Sequence, residues 1–301
     1  MTTAFYSHTA CWGHVTPAGH PEQVARLDAV TTALKGMALD RHEAPLGTDA
    51  QILLCHPETY LQKILKAEPQ AGSVALDEDT FMSAGSVQAA RRAVGAAVAA
   101  VDTVLDGRAD NAFVACRPPG HHAETARQMG FCLFGNVAIA AKHALARGVA
   151  RVAVVDFDVH HGNGTQDLLW DEPQALFFSS HQSPLWPGTG TEGERGAHDQ
   201  IVNLPLLPES GGAQMRETYE RRVFPMLDAF APELLLISAG FDAHRADPLA
   251  QLNWEVEDFV WLTRQLKQYA KGRVVSVLEG GYDLHALGMC VAAHVAALMD
   301  G

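Results

Sequence analysis

Asp158 and His160 stand two residues apart in RVAVVDFDVHHGNG, directly after an apolar run that reads as a buried strand, and Asp242 follows a second such run in LLLISAGFD. A strand repeats its side-chain direction every second residue, so Asp158 and His160 are expected to point the same way, as two ligands of one ion must. With Asp242 supplied from a neighbouring strand end, the set is Asp/His/Asp with a coordination position left open. That open position separates a catalytic zinc site from a structural one. A single strand-end aspartate more often caps a helix, but three convergent ligands point to a metal hydrolase.

Apolar runs must place these residues, and they alternate with helix-length amphipathic segments along the whole chain. Strands are expected at Ala112–Cys116, Val152–Asp156, Leu176–Ser179, Leu234–Ser238 and Val274–Leu278. Helices are expected at Pro21–Leu34, Ser86–Leu105, Val137–Ala146, Met215–Phe230, Val256–Tyr269 and Leu284–Leu298. Such alternation predicts one α/β domain over residues 1–301, with a mostly parallel central sheet and helices on both faces. Ligands of such sheets bind beyond the carboxyl ends of the strands. RPPGHH, DFDVHHGNG, SSH, SAGFD and LEGGYD each follow one of the five strands, so all fall at that end.

Composition narrows the partners. The chain has 301 residues, 48% of them hydrophobic, enough for a sizeable core. It carries 35 acidic against 22 basic residues, a formal charge of −13, and no Lys/Arg-rich run. A phosphate backbone would be repelled and a cationic substrate attracted, so nucleic acid is not an expected partner. The five cysteines are odd in number and include no C-x-x-C pair, which argues against a disulfide framework and fits reduced thiols in a cytoplasm. No apolar run approaches the roughly 18 residues of a membrane span, so no membrane partner is expected. Nothing in the sequence points to a particular oligomeric state.

RPPGHHA (117–123), GFC (130–132), DFDVHHGNGTQ (156–166), PGTG (187–190), SAGFDAH with DPL (238–249) and EGGYD (279–283) together resemble the signature set of the histone deacetylase and acetylpolyamine amidohydrolase superfamily, on its class II-like side. GHPE with RL (19–27) is similar to the family's opening loop and helix. The resemblance implies an arginase/deacetylase-like fold. It also implies zinc-dependent removal of an acetyl or other acyl group from an acylated lysine in a peptide or protein.

Within that resemblance, His122 is the general base and His121 its electrostatic or acid partner, oriented by Asn163 and Asp156 respectively. Some branches carry aspartate at the position of Asn163. An amide supports an imidazolium less well than a carboxylate, so His122 is expected to lose its proton more readily than His121. Tyr282 follows Gly280-Gly281, and its hydroxyl would donate to the oxyanion of a tetrahedral intermediate. Gly130, Phe131, Trp186 and Leu249 would line a narrow substrate tunnel. Asp156 and Ser179 match a structural monovalent-cation site, taken as K⁺. Fe²⁺ or Co²⁺ could occupy the same ligands, since affinity order and supply rather than ligand identity decide between them. His161, one residue beyond His160, should face away from the metal and pack or hydrogen-bond.

Three alternatives have their own signals. A binuclear arginase-like site needs D-x-H-x-D, whereas His161 and Gly162 follow His160 here. An acetylated-polyamine deacetylase of one branch places glutamate where this chain has Leu249, although the acidic loop Asp77–Asp79 could serve the same end. A silent acyl-lysine binding module would have no need of a poised base.

Overall fold

The computed structural model describes residues 1–300 of the chain. Among the described residues ten strands form, β1 (Thr3–Ser7), β2 (Asp40–Glu43), β3 (Ser73–Ala75), β4 (Phe81–Ser83), β5 (Asn111–Val114), β6 (Val152–Asp156), β7 (Ala175–Gln182), β8 (Ile201–Leu206), β9 (Leu234–Ala239) and β10 (Val274–Leu278). Eight of them make one sheet in the order β2-β1-β5-β10-β9-β6-β7-β8, with every neighbouring pair parallel. β3 and β4 form a separate antiparallel hairpin.

The central strands VAVVD, LLLISA and VVSVL are buried at every position. Continuous burial requires cover on both faces, and aliphatic β-branched residues suit it. Helices Ser86–Leu105 and Asn136–Ala146 pack together on the sheet, while Ala25–Ala33, Val256–Leu266 and Leu284–Met299 form a second packed group. All parallel strands end on one side, so their carboxyl-terminal loops share that side.

Three main-sheet strands, β1, β2 and β8, lie outside the five expected from the apolar runs. β2 is the polar edge segment DRHE and β8 the opposite edge, where Pro205 is tolerated because no further strand needs its N–H. The expected helix Met215–Phe230 is interrupted by a π turn at Tyr219–Val223. Pro225 has no N–H to return to the preceding turn, and the helix widens there. All five cysteines are free and buried. Among the described residues, no helix is long and apolar enough to cross a membrane.

The expected helix at Pro21 begins only at Ala25, because Glu22 is drawn into the interior. Its carboxylate, fully buried, accepts from Arg117 through both oxygens and from Arg26 Nη1 at 3.0 Å. Burial works against ionisation of Glu22, but Arg117 and Arg26 outweigh it and hold the carboxyl down at about 2. Its stabilising contribution is therefore complete above the ordinary glutamate range and is lost as pH falls towards 2. Glu22→Gln leaves two buried guanidinium groups without their counter-charge. It is expected to cost about 3–5 kcal/mol at pH 7, read from urea denaturation midpoints. A loss below about 1 kcal/mol would show that the arginines find other partners.

Candidate active site

β6 ends at Asp156, and the chain then bends through Asp158–His160. Strand alternation therefore does not set the directions of Asp158 and His160, a correction to the expectation from spacing. Local hydrogen bonds do so instead. Asp156 Oδ1 accepts from the Asp158 backbone N–H at 3.1 Å, and Asp158 Oδ1 from that of His160 at 2.9 Å, two successive side-chain-to-backbone turns. The neighbouring strands are tied in the same way. Asp242, beyond β9, accepts from Val159 N–H at 2.9 Å, and Gly280, beyond β10, donates to Asp158 Oδ2 at 2.8 Å. A side chain at Gly240 or Gly280 would place its Cβ 2.1 Å from an oxygen of Asp158 or Asp242, so only glycine permits this closeness.

The three side chains converge. His160 Nδ1 lies 3.1 Å from Asp158 Oδ1 and 3.2 Å from Asp242 Oδ2, and one ligand atom of each residue lies within 4.8 Å of the others. All three residues are buried, and Asp242 Oδ2 has no hydrogen-bond partner. Burial, with the nearby Asp158, pushes the Asp242 carboxyl up. Burial also opposes a charge on His160, yet its hydrogen bond to Asp158 and the negative charge of both aspartates lift it to about 10. The cluster thus draws positive charge to its centre. Two carboxylates and an imidazole, with one oxygen free of any donor, are a donor set that fits a divalent cation.

His121 and His122 occupy the loop after β5, their rings 3.9 Å apart between centroids. Gly164 allows the helix Asn163–Leu168 to approach that loop, since a Cβ there would stand 2.5 Å from its backbone. His121 Nδ1 donates to Asp156 Oδ2 at 3.0 Å, and His122 Nδ1 donates to Asn163 Oδ1 at 2.7 Å. The Asn163 amide is itself oriented, because its NH₂ donates to Glu124 Oε1 at 2.8 Å. Each imidazole consequently turns Nε2 away from its anchor. Burial opposes protonation of His121, but Asp158, Asp156 and Glu279 together hold it well above the ordinary histidine range. Burial and then the neighbouring His121 and His160 hold His122 well below that range.

Tyr282 lies behind Gly281, whose φ of +120° suits only glycine. Burial, with Asp242 nearby, keeps its phenol protonated far into alkali, so it remains a donor. A cavity of about 220 Å³ is lined by Asp79, His122, Gly130, Phe131, His160, Leu185, Trp186, Leu249 and Tyr282. Phe131 meets Tyr282 edge to face at 5.9 Å, and Trp186 meets His122 likewise at 4.7 Å while remaining 43% exposed at the rim. All four tunnel residues named from the sequence line this cavity.

Ser179 is the register partner of Asp156, and its hydroxyl bonds His181 Nδ1 at 3.0 Å and the Gly162 N–H at 3.3 Å. His161 points elsewhere, with Nδ1 on Thr189 Oγ1 and Nε2 on Gln166 Oε1. Sequence reasoning gave no role to Glu279. It is fully buried, and its Oε2 accepts from the backbone N–H groups of Gly120 and His121 at 2.7 and 3.2 Å. Its place in EGGYD was the only signal.

A parallel α/β sheet whose strand ends gather an Asp-His-Asp cluster, two differently anchored histidines and a tyrosine around a narrow cavity lined by His122, His160 and Tyr282 defines a hydrolase of the deacetylase and amidohydrolase class. The Histone deacetylase domain profile matches residues 20–298, and the chain belongs to that family. It is 39% identical to the histone deacetylase-like amidohydrolase of Pseudomonas aeruginosa, over 93% of this chain and 77% of that protein. It is 34% identical to a probable deacetylase of Archaeoglobus fulgidus, over 94% and 82% respectively. The solved HDA15 HD domain superposes with a TM-score of 0.95 at 31% identity, covering 99% of this chain and 91% of that one.

Gly130 tests the tightness of the cavity. A Cβ at this position, where φ is +55°, would lie 2.4 Å from His122 Cδ2 and 2.7 Å from the Trp186 ring. Gly130→Ala is expected to cost about 1–2 kcal/mol of stability and to lower deacetylase turnover by at least about a hundredfold through displacement of His122. Turnover within about twofold of the parent, which the same displacement argument excludes, would show that His122 does not need its present position.

Proposed function

We propose that the chain is a Zn²⁺-dependent deacylase that hydrolyses the side-chain amide of acylated lysine. The observation carrying this reading is the buried trio Asp158, His160 and Asp242, with its donor-free Asp242 Oδ2, beside His122 on the cavity wall. Asp158, His160 and Asp242 would hold the ion, which when bound supplies Lewis acidity to the amide carbonyl and acidifies water.

The remaining work falls to side chains of this chain. His122, kept neutral by burial and by positive neighbours, has Nε2 free to take a proton from the attacking water. His121, paired with Asp156, supplies positive charge beside the reacting carbon. Tyr282 donates its hydroxyl proton in a hydrogen bond to the developing oxyanion. The departing nitrogen takes its proton from the histidine pair, leaving a carboxylate and a free amine. Phe131, Trp186, Leu185 and Leu249 offer apolar surface to a linear alkyl stem and leave no room for branched bulk.

One observation favours a second substrate. Asp79 is the carboxylate that lines the cavity, and it suits the distal ammonium of an acetylated polyamine. Parallel turnover of an acetyl-lysine peptide and acetylputrescine separates the two, with the peptide expected to be the faster substrate.

Purified protein is expected to retain one equivalent of zinc by elemental analysis, where two would favour a binuclear site. Chelation and Tyr282→Phe are each expected to reduce kcat by at least about tenfold, or ~1.4 kcal/mol of transition-state stabilisation. Full activity in either case would remove the corresponding role.

A further inference from the structure

Asp247 stands in the loop after β9, five residues beyond Asp242, and is 7% exposed. Its two carboxylate oxygens serve different segments. Oδ1 accepts from the Leu249 backbone N–H at 3.0 Å, within its own loop. Oδ2 accepts from the Tyr282 backbone N–H at 2.7 Å, thirty-five residues away and beyond β10. The first bond is an ordinary loop-capping contact. The second is not local, and it reaches the residue that carries the phenol of the site.

Tyr282 needs such an anchor. Its backbone follows Gly280 and Gly281, which have no side chains to pack, and Gly281 has a φ of +120°. A glycine pair permits the turn, Arg26 holds the Gly281 carbonyl at 2.7 Å, and the Asp247 bond restrains the next N–H, that of Tyr282 itself. The Asp247 carboxyl group accepts both bonds in a place almost closed to solvent, where water cannot readily replace a lost hydrogen bond. Leu249 and Tyr282 both line the cavity, so one buried side chain fixes a wall of the tunnel and the hydroxyl donor together.

We propose that Asp247 is a positioning residue for the reaction: it touches no substrate, and it sets where the Tyr282 hydroxyl stands relative to a stem seated against Leu249. The inference rests on the role proposed above for Tyr282. It goes further in making the placement of that hydroxyl depend on a carboxylate in a different loop.

The test is a double-mutant cycle on the metal-loaded enzyme, measuring kcat and KM with an acetyl-lysine peptide for the parent, Asp247→Asn, Asp247→Ala, Tyr282→Phe and the Asp247→Asn/Tyr282→Phe pair. Asparagine keeps the size of the side chain but can accept only one of the two bonds well. Each single change is expected to lower kcat by at least about tenfold, with KM altered by less than about threefold. Once the phenol is gone its position no longer matters, so the pair is expected to lie within about twofold of Tyr282→Phe alone.

Failure can be assigned. Parent-like kcat in Tyr282→Phe would overturn the role of Tyr282 and this inference with it. A large effect of Tyr282→Phe beside parent-like kcat in Asp247→Asn and Asp247→Ala would overturn this inference only. So would an Asp247 effect that persists undiminished in the Tyr282→Phe background. Loss of a cooperative thermal melt in both Asp247 variants would make the residue structural and overturn the proposal as well.

Discussion

Mutual repulsion among buried carboxylates is the constraint around which this molecule is arranged. Asp156, Asp158, Asp242 and Glu279 are all buried at the ends of the adjacent strands β6, β9 and β10. Burial is costly for each, pushing Asp156 up to about 6 and Glu279 to about 7 even with His121 drawing both the other way. Carboxylates in such a place are tolerated only where donors and positive charge surround them. Backbone N–H groups of Asp158, Val159, His160 and Gly280 supply the donors, and they can do so because parallel strands deliver several loop backbones to one edge. Glycines at 240 and 280 then let those loops close on the carboxylates.

Two identical side chains acquire different chemistry from this surrounding. His121 and His122 are neighbours in sequence and nearly in contact, yet one is anchored on a carboxylate and the other on an amide. The carboxylate favours an imidazolium, and a first imidazolium disfavours a second beside it. The asymmetry is reinforced one step further out, where Glu124 holds the amide of Asn163 and thereby selects which nitrogen of His122 is turned towards the cavity. An aspartate at position 163 would pull His122 towards the charged form and blur the division of labour.

The sequence disclosed most where one residue type answers one physical demand. Mainly aliphatic runs at Val152–Asp156 and Val274–Leu278 form as strands with those bounds, because a doubly covered sheet interior leaves no alternation to obscure them. Edge strands β2 and β8 were illegible for the opposite reason, since polar residues and a proline are what an edge tolerates. In the site, the grouping of Asp158, His160 and Asp242 was legible but its cause was misassigned. Side-chain-to-backbone turns achieve in a bend what alternation would have achieved in a strand, and spacing alone cannot distinguish the two. Glu279 and Asp247 were harder still, because their partners are backbone N–H groups distant in sequence, and those carry no residue-type signature.

The network around Glu22 lies outside the cavity yet backs both walls of the site. Arg117 opens the loop that carries His121 and His122, and its guanidinium is held by the Glu22 carboxylate and by the carbonyl of His14. Arg26, bound to the same carboxylate, donates to the backbone oxygens of Glu279 and Gly281, the residues that lead into Tyr282. A single buried anion from the N-terminal segment therefore fixes two arginines, and each arginine fixes one catalytic loop. Guanidinium groups suit this task because several donors in a rigid plane can satisfy a carboxylate and separate carbonyls at once. Lysine at either position would keep the charge and lose the geometry, so the precision of the histidine and tyrosine loops depends on a cluster that itself has no chemistry to perform.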